Sequence, residues 1–127
     1  MEKKTKKDSW YYKNRDRLKA KRIIYGKIYR KELKQRILKE YGEFCTCCGE
    51  SNPIFLTLDH IDNNGAAQRK SIFGKKVRGG YNFYLWLKRN NFPTGLQTLC
   101  FNCNQGRYIN KGICPHKEKG KSNDQTP

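Results

Sequence analysis

The sequence predicts a small α+β domain pinned by a four-cysteine zinc and preceded by a basic helical arm. Three observations carry that expectation. Two Cys-x-x-Cys pairs, Cys45/Cys48 and Cys100/Cys103, stand about 55 residues apart. A short apolar and β-branched run, "IFLTLDHI" from Ile54 to Ile61, lies between them. Residues 1–42 hold 16 Lys+Arg against 5 Asp+Glu and contain neither cysteine, histidine nor proline.

Size sets the scale of the argument. A chain of 127 residues fits one domain plus an appendage, so any chemistry is confined to one small site. With 35% hydrophobic residues and a mean hydropathy of -1.01 the core is thin, and thin cores commonly depend on a metal or on disulfides. The net charge of +17 calls for a polyanionic partner, and nucleic acid is the leading candidate. A basic helix lying on a membrane would need a strongly apolar face, which the basic segment has only in part. No apolar run approaches the roughly 20 residues that span a bilayer, and "MEKKTKKDSW" lacks the apolar stretch of a signal peptide. A soluble, cytoplasmic protein is expected, and in a reducing compartment closely spaced cysteines bind zinc more often than they pair.

Along the chain, Asp8-Ser9 is a natural N-cap for helix from about Trp10 to Ile24, and Gly26 is expected to break or kink it before a second stretch from about Lys27 to Glu40. Leu18, Tyr25, Ile28, Tyr29, Leu33, Ile37 and Tyr41 form an incomplete apolar stripe on a cationic rod. The cations Lys13, Arg15, Arg17, Lys19, Lys21 and Arg22 are the candidate nucleic-acid contacts of this arm, residues 1–42. "DNNGAAQRKSIFGKKVRGG", Asp62 to Gly80, with four Gly and five Lys+Arg, reads as a long loop. "YNFYLWLKRNN" has a helical apolar face that "FPTG" terminates, and it is expected to pack in the core. Residues 117–127 are polar and are expected to be a disordered tail.

Each Cys-x-x-Cys spacing lets one turn aim two sulfurs at a single tetrahedral ion, and Gly49 directly after Cys48 suits such a turn. Four protein thiolates leave no position for water, so this zinc would be structural. Cys47 is read as a spare thiol, with a ligand set that uses it left open. Cys114 and His116 in "ICPH" could be two ligands of a further site. With no partner pair left over, they are read instead as a C-terminal segment folded back on the core.

The order "C-x-x-C-G", then "LDHI", then "LQTLCFNCN", over Cys45 to about Tyr108, resembles the HNH nucleases, and the "CFNCN…CPH" ending resembles a phage and bacterial subgroup of them. The resemblance implies a ββα-metal, treble-clef-like core over residues 43–116 in a bacterial or phage-infected host cell. It implies that Asp59 and Asn104 hold one Mg²⁺ or Mn²⁺, and that His60 is the general base for hydrolysis of DNA phosphodiester bonds. Hard oxygen ligands suit Mg²⁺, and imidazole suits base work near neutral pH. On a helix after Cys103, Arg107 would share a face with Asn104 and reach phosphate. One departure stands out: Gly95 occupies the position where the family commonly carries an Asn that braces the histidine loop, a role for which Asn91 or Asn63-Asn64 are the available substitutes. The competing expectation is a non-catalytic zinc-containing nucleic-acid-binding protein of a ribonucleoprotein or packaging complex. Oligomeric state and target sequence are not encoded legibly.

Overall fold

The structure, a computed structural model, describes residues 5–76 and 80–118. It divides into two compact units, Met1–Glu32 and Leu33–Pro127.

The first unit begins with a 3₁₀ turn, Lys6–Asp8, in which the backbone N–H and hydroxyl of Thr5 both donate to Asp8 Oδ2, at 3.1 and 2.7 Å. Ser9 then caps α1 (Trp10–Tyr41), its hydroxyl accepting from the Tyr12 N–H at 3.4 Å. The expected break at Gly26 does not occur. One internal glycine costs about 1 kcal/mol relative to alanine, whereas ending a helix and restarting it orphans four carbonyls and four amides. The six cations named above all lie exposed on this stretch of α1.

The division between the units falls earlier than residue 42. Leu33, Ile37 and Leu38 are buried in the second unit, so the last turns of α1 belong to the core. Of the apolar stripe this C-terminal end is buried and Leu18 half-buried, while Tyr25, Ile28 and Tyr29 are exposed.

The second unit is a small α+β structure around a two-stranded antiparallel sheet. β1 (Leu56–His60) pairs with β2 (Leu96–Cys100) in a register that sets Leu56 opposite Cys100, Asp59 opposite Gln97 and His60 opposite Leu96. Because side chains alternate along a strand, Leu56, Leu58 and His60 share one face while Thr57 and Asp59 share the other. Two apolar groups flank this sheet. Leu38, Leu56 and Leu99 pack with the cysteines, and Leu33, Ile37, Phe83, Leu87 and Leu96 form the second group. Tyr41 ties the end of α1 to the approach to β2 by donating to the Pro93 carbonyl at 2.6 Å.

Residues 62–80 are not simply a loop: α2 (Gly65–Phe73) forms within them, with no buried residue, while residues 77–79 fall outside the described part. α3 (Tyr81–Arg89) buries Phe83 and Leu87 and stacks Trp86 on Phe83 at 6.1 Å, so its aromatic face is core. α4 (Phe101–Ile109) starts where β2 stops, and the short α5 (Pro115–Glu118) follows. The expected tail, 117–127, overlaps α5 at its first two residues and from residue 119 lies outside the described residues. Among the described residues no helix is long and apolar enough to cross a membrane.

Candidate functional site

The cysteine node grows from two turns. In the first, the Cys48 N–H points at Cys45 Sγ (3.5 Å), the Gly49 N–H donates to the Cys45 carbonyl (2.9 Å), and Gly49 turns the chain with φ of 82°. In the second, Cys100 caps α4, its Sγ accepting from the Cys103 N–H at 3.4 Å. The ligand atoms of Cys45, Cys48, Cys100 and Cys103 all lie within 4.8 Å of one another. Cys48 Sγ and Cys100 Sγ are 3.7 Å apart, close to the roughly 3.8 Å edge of a tetrahedron with metal–sulfur bonds of about 2.3 Å. The four cysteines therefore fit a structural zinc.

Burial and local donors compete at these thiols. Burial raises Cys45, but backbone N–H groups of Cys48, Cys100 and Cys47 aimed at its sulfur outweigh that and bring it to about 6, well into the range where the thiolate that binds metal is populated. Cys103, fully buried among other thiols, is pushed strongly upward, first by burial and then by the neighbouring thiols of Cys100, Cys45 and Cys48.

Cys47, read as a spare thiol, is not isolated, and neither are Cys114 and His116. Cys47, Cys103, Cys114 and His116 form a second group with ligand atoms within 4.8 Å of one another. The C-terminal segment does fold back, burying Cys114. The partner pair that the sequence did not offer consists of Cys47 and the already counted Cys103.

The second feature is an open cleft of about 610 Å³ whose wall includes Asp59, His60, Asn63, Asn104, Arg69 and Lys111. β1 delivers Asp59 and His60, and α4 delivers Asn104, the residue immediately after Cys103. His60 is 8% exposed and sits beside the Phe83 ring at 5.4 Å. Its Nε2 lies 2.5 Å from Gln68 Oε1, so in this orientation the amide oxygen accepts, Nε2 carries the proton and Nδ1 keeps the lone pair. The α2 backbone passes close to that nitrogen at Gly65, where an added Cβ would stand 2.7 Å from His60 Nδ1.

Asp59 is held from two sides. Gln97, its cross-strand partner, donates to Oδ2 at 3.0 Å, and the Arg107 guanidinium pairs with the same oxygen. Arg107, expected at phosphate, lines the cleft and also acts as a clamp. It also donates to the carbonyls of His60 (3.0 Å), Ile61 (2.6 Å) and Gly112 (3.1 Å), so four of its five N–H groups are engaged. The brace on the histidine turn comes from backbone: the Ile61 N–H donates to the Gly95 carbonyl at 3.1 Å and the Asn63 N–H to the His60 carbonyl at 3.1 Å. Asn63 lines the cleft, whereas Asn91 lies in the turn after α3 with φ of 57°.

Sequence reasoning missed Gln68, Gly65, Gln97 and Arg69. Gln68 and Gly65 sit in a helix whose glycines and cations read as loop, and Gln97 follows only from the strand register. No protein-family model, curated protein or solved structure matches the chain.

Proposed function

We propose that the protein is a metal-dependent endonuclease of the HNH type that hydrolyses DNA phosphodiester bonds. The observation that supports this most is that the adjacent Asp59 and His60 of β1 and the sequence-distant Asn104 of α4 line one open cleft beside a cysteine node suited to zinc. Nδ1 of His60 takes the proton from an attacking water, while Gln68 on Nε2 and the Phe83 ring fix the imidazole's orientation. Arg107 and Gln97 both meet Oδ2 of Asp59, so Oδ1 and the Asn104 carboxamide oxygen are the two hard donors that would hold Mg²⁺ or Mn²⁺. When bound, that ion supplies Lewis-acid stabilisation of charge on the phosphate and the leaving 3′-oxygen. Arg69 and Lys111 join Arg107 as the cleft's cations for phosphate, the Arg107 guanidinium being largely taken up by Asp59 and three carbonyls. The exposed cations of α1 add contacts to the DNA backbone, which give affinity without sequence choice.

The test is plasmid nicking by the full chain with Mg²⁺ or Mn²⁺, against chelator and against His60→Ala. Metal-dependent nicking lost in a folded His60→Ala protein supports the reading; equal trace cleavage by both proteins sinks it.

One observation favours a second reading, a zinc-containing module that binds nucleic acid without cutting it: the Asp59 carboxylate is already neutralised by Arg107. That reading expects salt-sensitive binding, unaffected by His60→Ala, with no cleavage at any divalent metal concentration.

A further inference from the structure

The two cysteine-rich groups share one residue, and what they hold depends on how Cys103 is used. His116 Nδ1 lies 3.3 Å from Cys103 Sγ, 3.4 Å from Cys114 Sγ and 3.9 Å from Cys47 Sγ. A single ring N–H satisfies one acceptor, so hydrogen bonding does not explain three sulfurs converging on one nitrogen. Tetrahedral coordination does. With metal–sulfur bonds of about 2.3 Å and metal–nitrogen bonds of about 2.0–2.1 Å, the nitrogen–sulfur edges come to about 3.5 Å, in the middle of the observed spread.

Two further features build this group. Gly106 on α4 lets Pro115 come close, since an added Cβ there would stand 3.0 Å from the proline Cδ. That approach seats Cys114 and His116, on either side of Pro115, against the helix that carries Cys103. The turn that aims Cys45 and Cys48 at the first group leaves Cys47, between them, free to face the other way.

From these distances we infer that the protein binds two zinc ions, with the Cys103 thiolate bridging them. Cys45, Cys48 and Cys100 complete the first ion's shell, and Cys47, Cys114 and His116 complete the second. Charge does not oppose the second ion. Four thiolates around one Zn²⁺ carry two net negative charges, and adding Zn²⁺ with the two thiolates of Cys47 and Cys114 and a neutral imidazole leaves that total unchanged. Both shells are closed by protein ligands, so both ions are structural, and the inference stands or falls independently of any nuclease activity.

The experiment is elemental analysis of the purified 127-residue chain, with Co²⁺-substituted protein as the spectroscopic probe and circular dichroism to check folding. Wild type is expected to hold two zinc ions per chain and to show exchange coupling between two Co²⁺ ions through the shared sulfur, seen as a weakened low-temperature electron paramagnetic resonance signal. His116→Ala and Cys47→Ser, which leave the first tetrad intact, are each expected to hold one ion, without coupling and with the fold retained. One zinc in wild type, two in the variants, loss of both ions from the variants, or two uncoupled Co²⁺ ions would each overturn the bridged arrangement.

Discussion

Arg107 of α4 pairs with Asp59 of β1 across 48 positions of sequence, each side chain only 15% exposed, and the same guanidinium gathers the carbonyls of His60, Ile61 and Gly112. The pair joins the strand that carries two candidate catalytic residues to the helix that carries the third. Removing the cation would leave a carboxylate and three carbonyls short of donors. Arg107→Ala is therefore expected to destabilise the protein by about 2–4 kcal/mol, read from the denaturant midpoint. Arg107→Lys should recover little of this, because an ammonium cannot reproduce the planar fork.

Gly65 gives a way to disturb the histidine without changing it. A methyl group there would meet His60 Nδ1 at 2.7 Å and Arg69 at 3.1 Å, and the imidazole, held by Gln68 and Phe83, has little room to yield. Gly65→Ala is expected to reduce plasmid nicking by about 10²-fold, as a displacement of about 1 Å does at a reacting centre. Its far-ultraviolet circular dichroism should match wild type.

Tyr41 should report the integrity of the second unit at high pH. Burial, with a smaller contribution from Glu40, raises its hydroxyl from 10.0 to about 12. The folded-state value exceeds the unfolded one, so the stabilisation is complete below about pH 10 and is lost as pH rises toward about 12. Phenolate absorbance should show one tyrosine titrating late, and Tyr41→Phe should remove both that late step and its share of the alkaline destabilisation.

Chelation should act on the fold before it acts on any chemistry. The cysteine node supplies a large part of the buried set on its side of the sheet, with Leu38, Leu56 and Leu99 beside it. Stripping the metal with a strong chelator is expected to lower the melting temperature sharply and to collapse the amide chemical-shift dispersion of β1 and β2, with recovery on adding Zn²⁺.

The cationic stretch of α1 predicts a salt signature. Neutralising Lys13 and Arg17 together should weaken DNA binding similarly across sequences. It should also reduce the slope of log affinity against log salt by about 1 for each lost phosphate contact. Fluorescence anisotropy across a salt series measures it.

Local pattern carried much of this into the sequence. The two Cys-x-x-Cys turns, the β1 strand and the helix from Tyr81 follow from spacing and periodicity, which neighbouring residues settle among themselves. What was not legible is settled across the chain. α2 has no apolar period to announce it, since none of its residues is buried. The Arg107–Asp59 pair depends on how α4 leaves β2, and the grouping of Cys47 with Cys114 and His116 depends on a close approach at Gly106. Gly26 misled in the other direction: a residue that disfavours helix was outweighed by the cost of leaving two sets of helix ends unsatisfied.

The exposure of Cys48 has a consequence for how the protein fails. It is the one solvent-exposed member of the first tetrad, and its sulfur is 3.7 Å from that of buried Cys100. An oxidant arriving from solvent meets Cys48 first, and the sulfenic acid it forms has a neighbouring thiol ready to condense with it. One such bond removes a ligand from each turn at once. Asn104, four positions past Cys100 and directly after Cys103, then loses the anchor that sets its place in the cleft. Ageing in air would thus read as loss of function, reversible by a reductant followed by zinc but by neither alone.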